Sequence, residues 1–207
     1  MNRLFFGIGW RYGKEGSVAF LYLRKGVMMD KKDRLKKLVL EKAVKRGEFI
    51  LASGKKSNYY INGKLIALTS DGLALMAEFF LDEIEKENAD AVGGMVIGAD
   101  PIVGAILTLA DQRGLKLDGF LVRKEPKGHG TRNQVEGPVR DGGRVIIIED
   151  VSTTGGSSKK AIDALKELNC EIVKVITLVD RQQGAAENFA KWGYRFSSIF
   201  TKEELGL

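Results

Sequence analysis

Short runs of apolar residues alternate along this chain with longer segments in which apolar residues return every three or four positions. The short runs predict buried strands, and the longer segments predict helices with one apolar face. The predicted strands of the main sheet cover residues 91–97, 117–122, 144–149, 172–179 and about 194–200. Because strands and helices alternate, the pattern predicts an α/β fold with a doubly wound, mostly parallel sheet of about five strands flanked by helices.

The segment before this sheet predicts a small N-terminal hood. A helix is expected from Asp30, its N-terminal cap, to Arg46, with Gly47 ending it. Two short strands are expected within residues 48–62, around a turn at 53–58. A second helix is expected to be capped by Ser70 or Asp71 and to run to about Asn88. Three more are expected over 101–113, 159–168 and 184–192. Residues 29–207 are expected to form one domain, with a hood of about 30–70 plus the C-terminal end and a core of about 71–193.

Residues 1–28 mix aromatic residues, glycines and cations without helical or strand periodicity. Glycines and charges interrupt any apolar stretch that could act as a signal peptide. Met28 and Met29 stand directly before the first predicted helix. We therefore expect translation to begin at one of these methionines and residues 1–28 to be a non-native or disordered extension, which N-terminal sequencing of the native protein would test.

The stretch Arg144–Ser158, RVIIIEDVSTTGGSS, carries the strongest chemical signal. Its four consecutive β-branched residues, Val145 to Ile148, predict a strand buried on both faces of a parallel sheet. Glu149 and Asp150 follow directly. Open α/β sheets bind ligands at the carboxyl ends of their strands, so this acidic pair is expected in a binding site.

The small residues after the acidic pair suit a loop that binds a phosphate. Gly155 and Gly156 let the backbone approach a ligand closely, and the N-terminus of the following helix attracts an anion. Hydroxyl donors are supplied by Ser152, Thr153, Thr154 and Ser157. A sugar phosphate satisfies the whole stretch, because its vicinal hydroxyls bond to the carboxylates while its phosphate lies in the loop. A strand–turn–helix with capping hydroxyls is the alternative, but capping does not require an acidic pair.

A long connection between the predicted strands ending at Val122 and starting at Arg144 is rich in cations. Residues 123–132 hold four cations and one anion, a net charge of +3, and Gly128 and Gly130 flank the only histidine of the chain, His129. Long loops inside compact domains are usually functional or disordered. A cationic loop with glycine hinges is typical of a lid that closes over a polyphosphate. A solvated basic loop is the alternative.

Composition narrows the class of protein further. The chain has 207 residues, of which 44% are hydrophobic and 29% charged, as is usual for a soluble globular protein. Its net charge of +6 suits small phosphate-rich substrates, and no long run of cations argues for nucleic acid. A single cysteine, Cys170, excludes an internal disulfide. No apolar run is long enough to span a membrane, so a cytoplasmic location is expected.

Three motifs resemble those of a known enzyme family. VIIIEDVSTTGGS resembles the motif with which type I phosphoribosyltransferases bind 5-phosphoribosyl 1-diphosphate (PRPP). RKEPKGHGT resembles the RKExKxHG loop of the orotate phosphoribosyltransferases, and FILASGKKSNYYIN resembles that family's SGxxSxYY segment. The motifs agree in order, and the resemblance extends from about residue 33 to the C-terminus.

The resemblance implies a role for each matching residue. Catalysis is assigned to Lys127, His129, Glu149 and Asp150. PRPP binding is assigned to Arg123, Lys124, Lys127, His129, Glu149, Asp150, Val151, Ser152, Thr153, Thr154, Gly155, Gly156 and Ser157. Orotate binding is assigned to Tyr60, Ile61, Thr153 and Arg181. The guanidinium of Arg181 would pair with the orotate carboxylate, which a bidentate geometry favours.

The resemblance also implies the reaction and its partners. Orotate and PRPP would give orotidine 5′-monophosphate and pyrophosphate, a step of pyrimidine biosynthesis. Mg²⁺ would arrive bound to PRPP, with no direct protein ligand. The protein would be a homodimer in which each subunit donates its cationic loop to the partner's site.

Two departures from the family pattern remove positive charge from the diphosphate site. Ala52 stands where many members carry a lysine, and the segment GADPIVG (98–104) replaces a lysine-containing version. The turn within that segment could hold a second phosphate or be a plain strand–helix turn. The cationic loop is thus left as the main expected source of charge.

Other functions remain open at this point. A purine or uracil phosphoribosyltransferase would share residues 149–157 but should lack both the RKExKxHG loop and Arg181. A non-catalytic PRPP-binding regulator would keep the acidic pair but would have little use for the cationic loop. A bifunctional UMP synthase would need a decarboxylase barrel, of which these residues carry no sign.

Overall fold

The computed structural model describes residues 30–50, 56–125 and 134–207 of the chain. Its elements, in chain order, are α1 (Lys31–Leu38, continued by a π-helical turn over Val39–Ala43), β1 (Val44–Ile50), β2 (Lys56–Ile61), α2 (Lys64–Ala67), α3 (Ser70–Ile84), β3 (Ala91–Met95), α4 (Asp100–Gln112), β4 (Asp118–Val122), β5 (Val135–Glu136), β6 (Arg144–Ser152), α5 (Gly156–Lys166), β7 (Glu171–Asp180), α6 (Ala185–Trp192) and β8 (Phe196–Thr201).

Within these described residues, six strands form the central sheet, in the order β5-β4-β3-β6-β7-β8. The strands β3, β4, β6, β7 and β8 are parallel, and β5 pairs antiparallel with β4. The predicted doubly wound sheet of about five parallel strands is therefore confirmed. The edge strand β5 was not predicted, because two residues are too few to show an alternating pattern.

The central strand β6 is buried on both faces, as its β-branched run predicts. Val145 and Ile147 belong to the core on the side of α5 and α6. Ile146 and Ile148 belong to the core on the side of α3 and α4. This double burial fixes the strand and, with it, the position of the acidic pair that follows.

The hood differs from its prediction at the end of the first helix. The helical conformation ends at Ala43, not at Arg46, and β1 begins at Val44. Val44 pairs with Ile61 of β2, so the sheet contact overrides the weak helical preference of this segment. Gly47 therefore lies inside β1, with a φ of +149°, and does not end a helix. The hairpin of β1 and β2 is a separate two-stranded sheet, and part of its predicted turn, residues 53–55, lies outside the described residues.

Helix starts were predicted less well than helix positions. Asp30 does precede α1, but its side chain makes no capping hydrogen bond. Thr69, rather than Ser70 or Asp71, is the residue before α3. The short helix α2 was not predicted, because one turn leaves no readable apolar period.

The strand β3 is held against both of its neighbours by two glycines. A Cβ atom on Gly93 would lie 2.1 Å from the carbonyl oxygen of Phe120, and one on Gly94 would lie 2.2 Å from that of Ile148. Any side chain here would push the strands apart. The glycines thus bring the loop after β3 close to the carboxyl end of β6.

None of the helices within residues 30–50, 56–125 and 134–207 is long and apolar enough to cross a bilayer.

Candidate active site

The acidic pair lies where two cavities meet. Glu149 and Asp150 are within the last part of β6, which continues to Ser152, and both are partly exposed. One cavity has a volume of about 660 Å³ and the other of about 680 Å³. The two cavities share four lining residues, Lys64, Glu149, Asp150 and Ser157. A ligand bound to the acidic pair can therefore extend into both cavities.

The first cavity contains the predicted phosphate loop. It is lined by Thr153, Thr154, Gly155, Gly156 and Ser157, with Val151 and Lys160 nearby. Gly155 has a φ of +80°, and a Cβ atom there would lie 2.8 Å from the Phe189 ring, so only glycine fits. The helix α5 begins directly after this turn, which places its N-terminal N–H groups at the cavity, where they favour an anion.

Arg181 enters the first cavity from the end of β7 and is held there by the hood. Its side chain is only 4% exposed. Its Nη2 donates a hydrogen bond of 3.2 Å to the hydroxyl of Ser57, and its Cζ lies 4.7 Å from the ring centroid of Tyr59. Its Nε is buried without a hydrogen-bond partner. Among the described residues, no carboxylate forms an ion pair with this guanidinium.

Ser57 joins the hood hairpin to Arg181. Its hydroxyl donates to the carbonyl oxygen of Tyr59 at 2.7 Å, which leaves its oxygen free to accept from Arg181. The next residues of β2, Tyr60 and Ile61, line the same cavity. The Tyr60 ring lies 5.7 Å from that of Phe49 in β1, measured between centroids. The hairpin thus supplies a wall of the cavity as well as the contacts that orient the guanidinium.

The second cavity lies between the loop after β3 and the base of the cationic loop. It is lined by Met95 to Ala99 on one side and by Arg123, Lys124 and Glu125 on the other. A Cβ atom on Gly98 would lie 3.1 Å from Oδ1 of Asp150, so this loop passes close to the acidic pair. The peptide bond between Val96 and Ile97 is cis.

The base of the cationic loop is closed by hydrogen bonds. The N–H of Arg123 donates to the carbonyl oxygen of Gln134 at 2.9 Å, and the Gln134 amide donates back to the carbonyl oxygen of Arg123 at 2.9 Å. Nε of Arg123 also lies 3.0 Å from a carboxylate oxygen of Glu136. These contacts bring the two ends of the loop together beside the second cavity.

Burial changes the acidity of both carboxyl groups. Burial, and to a lesser degree the charge of Asp150, raise the pKa of Glu149 to about 7, although a hydrogen bond from Ser158 opposes the shift. Burial also raises the pKa of Asp150, against the opposing effect of Lys64. Carboxyl groups with such shifted pKa values are typical of functional sites.

Most of the predicted site residues lie together. Those that line at least one of the two cavities are Tyr60, Ile61, Arg123, Lys124, Glu149, Asp150, Val151, Thr153, Thr154, Gly155, Gly156, Ser157 and Arg181. Ser152 lines neither cavity, because its side chain is buried. Its hydroxyl has no hydrogen-bond partner in the protein. Lys127 and His129 lie outside the described residues, as does Ala52.

Sequence reasoning gave no role to several residues of this site, among them four with polar side chains. Ser57 and Tyr59 contact Arg181, while Lys64 and Lys160 line the cavities. Ser57 and Tyr59 belong to the SGxxSxYY-type segment, but their contact with Arg181, like the position of Lys64, depends on the tertiary fold. Lys160 follows the phosphate loop on α5. In the three described segments, no cluster of three or more His, Cys, Asp or Glu side chains could hold a metal ion.

The acidic pair can bind the hydroxyls of a phosphorylated sugar, and each of the two adjoining cavities offers a site for an anion. A family model described as "Phosphoribosyl transferase domain" matches residues 73–199. The chain therefore belongs to the phosphoribosyltransferases, which agrees with the fold and with the predicted loop after β6.

Relatives narrow this class. The chain is 46% identical over 176 residues to the orotate phosphoribosyltransferase of Rhodopirellula baltica, an alignment that covers 82% of this chain and 91% of the relative. It is 43% identical over 181 residues to that of Streptomyces avermitilis, covering 87% of this chain and all of the relative. The chain is a member of the orotate phosphoribosyltransferase family.

Solved structures agree with this placement. The orotate phosphoribosyltransferase of Mycobacterium tuberculosis, in complex with PRPP, matches with a TM-score of 0.73 and 33% identity, covering 86% of this chain and all of that one. A phosphoribosyltransferase from Corynebacterium diphtheriae matches with a TM-score of 0.76 and 37% identity over the same shares. The prediction of fold and family from the three motifs is confirmed.

Proposed function

We propose that this chain transfers the 5-phosphoribosyl group of PRPP to N1 of orotate, giving orotidine 5′-monophosphate and pyrophosphate. The observation that carries the choice of base is Arg181, a buried guanidinium in the first cavity with no carboxylate partner among the described residues. Family membership supports the type of reaction. Arg181 supports orotate as the acceptor.

The surroundings of Arg181 favour a planar anionic base. A buried charge is costly unless it is paired, and Nε of Arg181 has no hydrogen-bond partner in the protein. The orotate carboxylate supplies both the opposite charge and the acceptor. Uracil lacks this carboxylate and would leave the guanidinium unpaired. An unpaired buried charge disfavours the binding of uracil more strongly than the loss of an apolar contact would.

PRPP is proposed to bind across both cavities, with its 5′-phosphate in the first and its diphosphate in the second. The 5′-phosphate is assigned to the loop Thr153–Ser157 at the N-terminus of α5. The ribose hydroxyls are assigned to Glu149 and Asp150, and the diphosphate to the second cavity beside Arg123 and Lys124. Orotate then lies between Arg181 and the hood wall.

The chemistry requires positioning and charge stabilisation rather than a protein nucleophile. N1 of orotate loses its proton to water and forms a bond to C1′ of the ribose, while the bond from C1′ to the diphosphate oxygen breaks and that oxygen keeps the electron pair. The acidic pair holds the ribose in line and stabilises positive charge on the ring. Arg123, Lys124 and the loop residues Lys127 and His129 are assigned to the negative charge of the departing pyrophosphate.

Mg²⁺ is proposed as the cofactor, carried in by PRPP. Oxygen donors are those that Mg²⁺ prefers, and the phosphate oxygens of PRPP would supply them, so that no direct protein ligand is needed. Glu149 and Asp150 would lie nearby, at the wall of the second cavity. When bound, the ion would neutralise part of the diphosphate charge. Its positive charge would also favour the ionised form of the two carboxyl groups, against the effect of burial.

Three further assignments belong to the same proposal. The protein acts as a homodimer, with the loop that contains Lys127 and His129 completing the partner's site. It acts in the cytoplasm. Its product is the precursor of UMP in pyrimidine biosynthesis.

The test is to measure orotate consumption by ultraviolet absorbance in the presence of PRPP and Mg²⁺. We expect turnover in the wild type and a loss of roughly 10²–10³-fold in kcat/KM for orotate in Arg181→Met, because the carboxylate loses its charged partner. Arg195→Met is the matched control, since Arg195 pairs with Glu87 away from both cavities. Turnover of uracil or a purine base in place of orotate would overturn the choice of base. PRPP binding without turnover of any base would favour a regulator.

A further inference from the structure

Lys64 occupies a position that no other described cation shares. It lines both cavities, and the other residues common to the two are the acidic pair and Ser157. Arg123 and Lys124 line only the second cavity, while Arg181 and Lys160 line only the first. Lys64 thus stands beside the junction of ribose and diphosphate in the arrangement proposed above.

The backbone that carries Lys64 is packed directly against Asp150. A Cβ atom on Gly63 would lie 2.7 Å from Cβ of Asp150, so only glycine allows this approach. The next turn is anchored in the core, because Ile66 and Ala67 are fully buried. Lys64 is therefore held by a packed helix, whereas Lys124 stands at the edge of the cationic loop.

The charge of Lys64 is available to a ligand. No carboxylate of the described residues forms an ion pair with it, although Asp150 is near enough for the lysine to lower the pKa of that carboxyl. By contrast, Arg123 lies 3.0 Å from Glu136. An ammonium group on a fixed backbone next to a polyanion site is a preorganised stabiliser of negative charge.

We propose that Lys64 is the fixed cation of the diphosphate site, binding the phosphate attached to C1′ and stabilising the charge on the leaving pyrophosphate. The proposal rests on the assignment of the second cavity to diphosphate, and not on the identity of the base.

The test compares Lys64→Gln and Lys64→Arg with the wild type and with Lys191→Gln, which removes the same charge from an exposed position on α6. The direct probe is inorganic pyrophosphate with Mg²⁺, titrated by calorimetry. We expect Lys64→Gln to weaken pyrophosphate binding by roughly 10-fold or more, because a charged hydrogen bond is lost. It should lower kcat by roughly 10²-fold and leave the KM for orotate within about twofold. Lys64→Arg should recover much of the affinity.

Pyrophosphate separates this role from an indirect one, because it has no ribose to contact Asp150. If Lys64→Gln binds pyrophosphate as the wild type does, the lysine acts only through Asp150 and the proposal is wrong. Lys64→Met, which keeps the apolar stem, provides a second neutral variant should the glutamine variant not fold, and thermal unfolding identifies that case. A wild type that uses another base would overturn the proposed function but leave this result standing.

Discussion

Glu149 is a residue whose acidity is changed strongly by its position in the fold. Its pKa of about 7, raised mainly by burial, means that at neutral pH the empty site holds a mixture of protonated and ionised forms. Ribose hydroxyls donate best to an ionised carboxylate. The fold therefore keeps this group near the middle of its titration until a ligand favours the charged form.

This shift predicts how the stability of the empty enzyme depends on pH. A carboxyl group whose pKa is higher in the folded than in the unfolded chain binds its proton more tightly when folded. Its contribution to folding is complete below the unfolded pKa and is lost as the pH rises through the folded value. Between about pH 5 and about pH 8, the wild type should therefore lose roughly 2–3 kcal/mol relative to Glu149→Gln.

Denaturant unfolding at a series of pH values measures this difference in unfolding free energy. Glu167→Gln is the control, since Glu167 is an exposed residue at the end of α5. We expect its difference from the wild type to stay constant over the same range. An equally constant difference for Glu149→Gln would show that the pKa of Glu149 is not raised by the fold.

Among the secondary-structure elements, the strands of the main sheet were the most predictable. The run Val145 to Ile148 predicts burial on both faces, and the two cores on either side of β6 confirm it. The hood was harder, because its first helix changes to a strand at Val44 through pairing with Ile61. A local pattern cannot show which partner strand will be present.

The hood hairpin also orients the base site, which gives a second prediction about function. Ser57→Ala removes the hydroxyl that accepts the hydrogen bond from Arg181. We expect the KM for orotate to rise roughly 2–10-fold, the effect of one hydrogen bond, while the KM for PRPP stays unchanged. Ser57→Thr keeps the hydroxyl and suits a strand, so it should behave nearly as the wild type.

Steady-state kinetics with each substrate varied in turn distinguishes this from a general defect. Parallel increases in both KM values would show that Ser57 supports the hood as a whole. If the KM for orotate does not change in Ser57→Ala, Ser57 does not position Arg181.

At the level of the whole molecule, the sequence predicted the parts of the site that are contiguous in the chain. The loop Thr153–Ser157 and the acidic pair lie in one motif, so a single stretch defines them. Lys64 and Ser57 reach the site from the hood, which the fold brings against the end of β6 and β7. Their roles depend on tertiary contacts, which the spacing of residues along the chain does not show.

The proposed exchange of loops between subunits predicts complementation. Lys127→Ala should impair the partner's site, and Arg181→Met should impair its own. A mixed dimer of the two variants would keep one intact site. After mixing, dissociation and reassociation in equal amounts, we expect roughly a quarter of the wild-type activity, because half of the dimers are mixed and each has one working site of two.

Activity after reassociation is compared with that of each variant treated alone. A mixture of Lys127→Ala with Lys127→Met is the control, since no combination of these chains restores the lysine. If the mixture of Lys127→Ala with Arg181→Met stays as inactive as this control, the loop completes the active site of its own subunit.

The unpaired guanidinium of Arg181 has a consequence for the empty enzyme. A cation enclosed by Ser57 and Tyr59, with Nε unbonded, makes the fold less stable than an apolar side chain of similar size would. The selectivity for an anionic base is thus obtained through a stability–activity trade-off. The most stable version of this chain is not the one that best distinguishes its substrate.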